Sequence, residues 1–107
     1  MDSGLYKLCF FVPRDHVEAV KLAVFAAGAG RIGGYEQCCW ETTGVGQFRP
    51  MPGSNAFVGQ VGSLERVEEM KVEMVCAAEH LKAAVTALLA SHPYETPAYE
   101  YWPVNRC

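Results

Sequence analysis

The chain opens on an alternation of period two. Tyr6, Leu8, Phe10 and Val12 fall on one side and Lys7, Cys9 and Phe11 on the other, and a run of β-formers this apolar predicts a strand largely covered on both faces. Pro13 ends it. Asp15 then stands where a helix N-cap belongs, with Glu18 three positions later as in a capping box, and Val17, Val20, Val24 and Ala27 recur at helical spacing. Gly28 to Gly30 stop this first helix by supplying left-handed backbone. Residues 35–43, with Cys38, Cys39, Trp40, Thr42 and Thr43, predict a second strand. Residues 44–62 break the pattern with five glycines and two prolines, which predicts a long hairpin excursion. Alternation returns over residues 64–76, where Met70, Met74 and Cys76 share one face and Lys71 and Glu73 the other. Leu81, Ala84, Val85, Leu88 and Leu89 predict a second helix over 77–91, and Pro93 ends it by forcing His92 out of the helical region. A last strand is expected over 98–104.

The order βαββαβ, with two crossovers joined by a hairpin, predicts an α+β fold: a ferredoxin-like sandwich with a four-stranded antiparallel sheet and both helices on one face. The open face is expected to carry Tyr, Trp, Cys and Met side chains. A small domain seldom leaves such a patch in water, so association through the sheet is the expectation.

Length and composition narrow the classes. One domain over residues 1–107 is what this length accommodates. A composition 50% apolar and 20% charged excludes disorder by low hydrophobicity, and a net charge of -3 disfavours a phosphate-gripping surface. The third strand is acidic and lacks the aromatics on which an RNA-recognition sheet stacks bases, so no nucleic-acid partner is expected. Met1 to Gly4 carry no basic cluster, and the run at 8–12 is too short for a signal core or a membrane span. No membrane partner and a cytoplasmic location follow as expectations. Cys9, Cys38, Cys39, Cys76 and Cys107 are odd in number and show no disulfide framework. Neighbouring strand residues point to opposite faces, so Cys38 and Cys39 read as packing rather than a shared metal or redox pair.

The most distinctive string is His92-Pro93-Tyr94-Glu95-Thr96-Pro97-Ala98-Tyr99. It reads either as a proline-stiffened helix stop or as a turn presenting an imidazole, a phenol and a carboxylate to a ligand. In the second reading His92, Tyr94 and Glu95 are ligand-binding candidates, with His92 and Glu95 the candidate ligands of a divalent metal ion. Two such ligands do not close a site, so a neighbouring subunit would have to supply the rest. Arg31 and Arg49 sit in glycine or proline turns, where a guanidinium can clamp a phosphate or carboxylate. His80, beside Glu79 and Lys82, reads as a surface residue. No GxSxG elbow, CxxC or HExxH occurs, and no catalytic residue is assigned.

The strings Gly30-Arg31-Ile32-Gly33-Gly34-Tyr35, Gly44-Val45-Gly46-Gln47-Phe48-Arg49-Pro50, Gly59-Gln60-Val61-Gly62 and residues 92–99 resemble the domain inserted in YqfO proteins, members of the dimetal-binding Nif-three-like family. The resemblance covers nearly the whole chain, which looks like a free-standing version of that insert. It implies a fold like CutA and PII, a homo-oligomer with a trimer favoured, and a loop at 44–62 able to contact a protein partner. It carries no dimetal site over, because that family's metals are held by flanking halves. The expected function is a non-catalytic oligomeric binding or regulatory module for a metal ion or small ligand; the alternative is an accessory subunit of a YqfO-type metal-dependent hydrolase.

Overall fold

A computed structural model describes residues 4–106 of the chain; Met1 to Ser3 and Cys107 lie outside the described residues. Strand β1 (Leu5–Pro13) is followed by a single 3-10 turn (Arg14–His16) and helix α1 (Val17–Ala26), then β2 (Trp40–Phe48), β3 (Glu65–Ala77), helix α2 (Ala78–Ser91) and β4 (Tyr99–Val104). The sheet order is β2-β3-β1-β4 and every neighbouring pair is antiparallel. This is the expected α+β, ferredoxin-like arrangement. Pairings such as Phe10 with Val72 and with Tyr99 fix the register.

That register sends Leu8, Phe10, Val12, Met70, Val72 and Met74 to the helical side. There they form the core with Val20, Val24, Ala84 and Leu88. Each fully buried side chain of this kind contributes roughly 1.5–3 kcal/mol by leaving water. The open face is therefore more polar than the sequence suggested. Met70 and Met74 belong to the core, and Tyr99 packs against it. Cys9, Lys7, Lys71, Glu73 and Glu100 share the open side with Trp40 and Trp102, both exposed.

Four local expectations are corrected. Asp15 does not cap α1: Pro13, with φ -57, starts a 3-10 turn, the helix begins only at Val17, and no side chain caps it. Cys38 and Cys39 precede β2, which starts at Trp40 and runs through Gly44 and Gly46 to Phe48. The excursion therefore spans 49–64 rather than 44–62, because cross-strand pairs down to Phe48 with Glu65 carry the ladder through the glycines. His80 is half-buried against Gly28, whose φ of +113 and missing Cβ leave room for the imidazole.

β3 outruns β1. Only Glu69 to Ala77 pair with β1, so Glu65 to Glu68 continue with Val45 to Phe48 as a two-stranded arm beyond the sheet. The arm explains an overall extent of 47 × 25 × 22 Å and a radius of gyration of 14.9 Å, against about 13 Å for a compact chain of this length. Lys21 of α1 bridges Glu18 and Glu41, tying the base of β2 to the helical layer.

Candidate functional site

At the root of the arm the chain encloses a cavity of about 480 Å³. Its floor is sheet, with Phe11 of β1, Gly46 and Phe48 of β2 and Glu69 of β3. One wall is the 49–64 loop and the other is the turn between α2 and β4. Neither wall is loose. Gly62 N–H donates to Pro50 O at 2.9 Å and closes the loop at its base; Ser54 N–H and Oγ both donate to Met51 O, at 3.1 and 2.8 Å. Asn55 N–H donates to Glu95 Oε1 at 3.1 Å, joining the two walls across the cavity mouth. The His16 and Phe57 rings meet edge to face, with centroids 5.4 Å apart.

The α2–β4 turn is held by His92. Its backbone leaves the helix with ψ 137, as the following proline requires, and its side chain is buried. Nε2 lies 2.7 Å from Phe11 O, a carbonyl that can only accept, so Nε2 carries the proton; Nδ1 then accepts Tyr94 N–H at 3.1 Å. Burial lowers the imidazole below its ordinary value, outweighing the opposing effects of the Phe11 carbonyl and Glu69. His92 is thus a neutral pin between β1 and the turn. Its place next to the sheet aims Tyr94 inward, and Tyr94 donates its hydroxyl to Glu69 Oε2 at 2.8 Å. Burial, with the carboxylate beside it, pushes the Tyr94 phenol well above its usual range, so it stays a donor.

The residues expected to bind ligands are divided by this geometry. Arg49, Tyr94 and Glu95 line the cavity. His92 does not, and as a metal ligand it is corrected: both ring nitrogens are spent on backbone groups, leaving no lone pair for an ion. Glu95 faces the loop backbone instead. No three His, Cys, Asp or Glu side chains converge among the described residues. Arg31 is exposed in the connection after α1, which Gly30 N–H ties to Val75 O at 2.8 Å. Val75 lies six residues along β3 from Glu69, about 20 Å away, so Arg31 belongs to the opposite end of the sheet. Burial raises the Cys9, Cys39 and Cys76 thiols, which leaves them protonated and poor nucleophiles.

Glu69, Phe11 and Phe57 line the cavity and were missed. Glu69 stands in the acidic run of the third strand, which argues against RNA but singles out no one carboxylate. The register places it opposite Gly44 and beside Gly46, where a Cβ would overlap its carboxylate; two glycines facing an acid across a hairpin were the available signal.

Aromatic walls, one half-buried carboxylate and a wet rim suit a small organic molecule. No family model matches the chain. It is 48% identical over 98 residues to a GTP cyclohydrolase 1 type 2 homolog of Mycobacterium leprae, covering 92% of this chain and 26% of that protein. With the namesake protein of Bacillus subtilis the identity is 42% over 102 residues, covering 95% and 27%. The chain thus spans about a quarter of the length of these relatives. Among solved structures, a Bacillus cereus protein related to NIF3 superposes with a TM-score of 0.83 at 36% identity, over 99% of this chain and 27% of that one. CutA from Xylella fastidiosa superposes with a TM-score of 0.71 at 22% identity, over 98% and 88%, a likeness of fold. No helix among the described residues is long and apolar enough to cross a membrane. Over nearly its whole length the chain is a relative, in sequence and in fold, of one segment of the NIF3/YqfO-type proteins named GTP cyclohydrolase 1 type 2 homolog, with the α+β architecture of CutA.

Proposed function

We propose that the chain is a non-catalytic binding module whose ligand, a small ring-containing or branched organic molecule, occupies the cavity at the root of the β2–β3 arm. The observation that carries this reading is the cavity itself: about 480 Å³, within the usual range of small-molecule sites, with apolar walls and few, directed polar groups. Arg49, Tyr94 and Glu95 are the proposed ligand-facing residues among those singled out in the sequence. Both walls are segments rather than strands, so an occupant that bridges them couples binding to the position of the loop, the surface offered to a protein partner. Millimolar screening of small aromatic solutes by NMR tests this. Binding is expected to move the Phe48, Phe57 and Tyr94 resonances, and a tenfold excess over Kd raises stability by about 1.4 kcal/mol. A solute set that moves no cavity resonance overturns the reading.

The module is further proposed to work as a homo-oligomer, trimer favoured, in the cytoplasm. Trp40 and Trp102 support this, exposed on the open face near its two edges. Light scattering is expected to return a multiple of the chain mass at micromolar concentration; a strict monomer removes this part. A second reading, accessory to a hydrolase of the YqfO type, is supported by the likeness of the chain to one segment, about a quarter, of the longer relatives. Co-purification with such an enzyme from the native host is the expected result, and repeated failure to recover one counts against it.

A further inference from the structure

We propose that the cavity selects a ligand whose inward end is an ammonium group, primary or quaternary, carried on an apolar body. The inference rests on the binding reading above and names the ligand class for that site.

Its starting point is Glu69. The carboxylate is half-buried on the cavity floor, where it also borders a smaller cavity of about 290 Å³ over β2. Among the described residues it forms no ion pair; the three ion pairs present involve Glu68, Glu18 and Glu41. Oε2 accepts the Tyr94 hydroxyl at 2.8 Å. Its other oxygen extends over Gly46, where the absence of a Cβ makes room. One neutral hydroxyl leaves room for a further donor at this carboxylate, and an ammonium group placed there would add a charge-assisted hydrogen bond.

The walls favour the same charge. Phe48 and Tyr94 stand with centroids 6.0 Å apart and 58° between their planes, and Phe57 and Tyr94 at 6.3 Å and 50°. Three π-systems therefore converge around Tyr94, the residue bonded to Glu69, and aromatic faces attract cations within about 6 Å of the ring centre. Glu95 adds a second negative charge at the rim. The opposing charges are Arg49 at the mouth and Lys71 two residues along β3, both exposed, where water and salt screen them. His92, behind Tyr94, is neutral. An anionic ligand, which Arg49 alone would welcome, would have to place its body against Glu69 and Glu95.

Three probes sharing a phenyl body decide the matter when titrated into the whole protein at pH 7.5 and followed by NMR: phenethylamine, 3-phenyl-1-propanol and 3-phenylpropionate. Phenethylamine is expected to bind in the cavity about tenfold tighter than the alcohol, and the carboxylate weakest. Glu69→Gln, which keeps an acceptor for Tyr94, is expected to erase that preference. Equal or tighter binding of the alcohol or the carboxylate by the unmodified protein overturns the ammonium inference while leaving the cavity a ligand site. So does a preference that survives in a folded Glu69→Gln protein. If none of the three perturbs the cavity at millimolar concentration, the binding reading and the inference fall together. The comparison of probes on the unmodified protein needs no variant to fold.

Discussion

An alanine at Gly30 is expected to remove about 2–4 kcal/mol of unfolding free energy and to lower Tm by roughly 10 °C or more. The residue sits at φ +77, a left-handed backbone that costs a non-glycine residue about 1–2 kcal/mol. Space adds a second cost. A Cβ there would lie 2.7 and 2.8 Å from two ring carbons of Phe25 and 2.9 Å from the Cys38 carbonyl oxygen. Gly30 cannot withdraw, because its N–H donates to Val75 O and its carbonyl accepts Cys38 N–H, each at 2.8 Å. The turn is thus bonded to β3 on one side and to the segment entering β2 on the other. Urea denaturation of the two proteins at pH 7.5 measures the loss. Phe25→Leu removes the ring edge, so the pair Gly30→Ala/Phe25→Leu should cost less than the sum of the single changes by at least about 0.5 kcal/mol. A Gly30→Ala protein within about 0.5 kcal/mol of the parent would show that the turn is not held as described.

The fold was legible because its signals are periodic and mutually consistent. The alternation from Tyr6 to Val12 and the helical spacing of Leu81, Ala84, Val85 and Leu88 point to the same buried layer. Element ends were less legible, for reasons specific to each. Gly44 and Gly46 read as turn residues, but a hairpin partner supplies the hydrogen bonds that hold glycine in a strand, and no local pattern reveals that partner. Asp15 and Glu18 had the spacing of a capping box, but a tight turn from Pro13 consumed the position.

The site was half legible, and the missing half is long-range. His92, Tyr94 and Glu95 stood out because two prolines isolate them, and Arg49 because it sits in a proline turn. Glu69 is 25 residues from its hydrogen-bond partner Tyr94 and looks like one member of a solvated acidic run. Its neighbours Glu68 and Arg66 are indeed exposed. Only the register of β3, which turns Glu69 to the open side while Met70 enters the core, separates the one from the others. The same distance effect reversed the role of His92, since its partner Phe11 lies 81 residues away.

Replacing His92 by alanine is expected to cost about 2–4 kcal/mol above pH 7 and to abolish a pH dependence of stability that the parent shows. The imidazole donates to Phe11 O and accepts from Tyr94 N–H, and its ring packs against Tyr94 with centroids 5.0 Å apart. Alanine leaves both backbone groups without these partners and opens a void under the turn. The acid response follows from burial, which holds the folded-state pKa below the ordinary 6.5. Above pH 6.5 the ring is neutral in both states and its contribution is complete. As pH falls below 6.5 the unfolded chain takes up a proton that the folded protein refuses, so stability drops until the folded pKa is passed and then levels off. Glu69 favours the charged form and His16 opposes it, both more weakly than burial. Stability measured by urea from pH 8 to pH 5 should therefore fall more steeply for the parent than for His92→Ala, His16 and His80 being common to both. Parallel curves would mean that the imidazole accepts its proton in place, and the neutral pin would have to be abandoned. Loss of the pin should also reach the cavity, because Tyr94 is aimed at Glu69 by the turn that His92 holds. Phenethylamine binding weakened in a folded His92→Ala protein is the corresponding result, and unchanged binding would place the support of Tyr94 elsewhere, in its rings' contacts with Phe48 and Phe57.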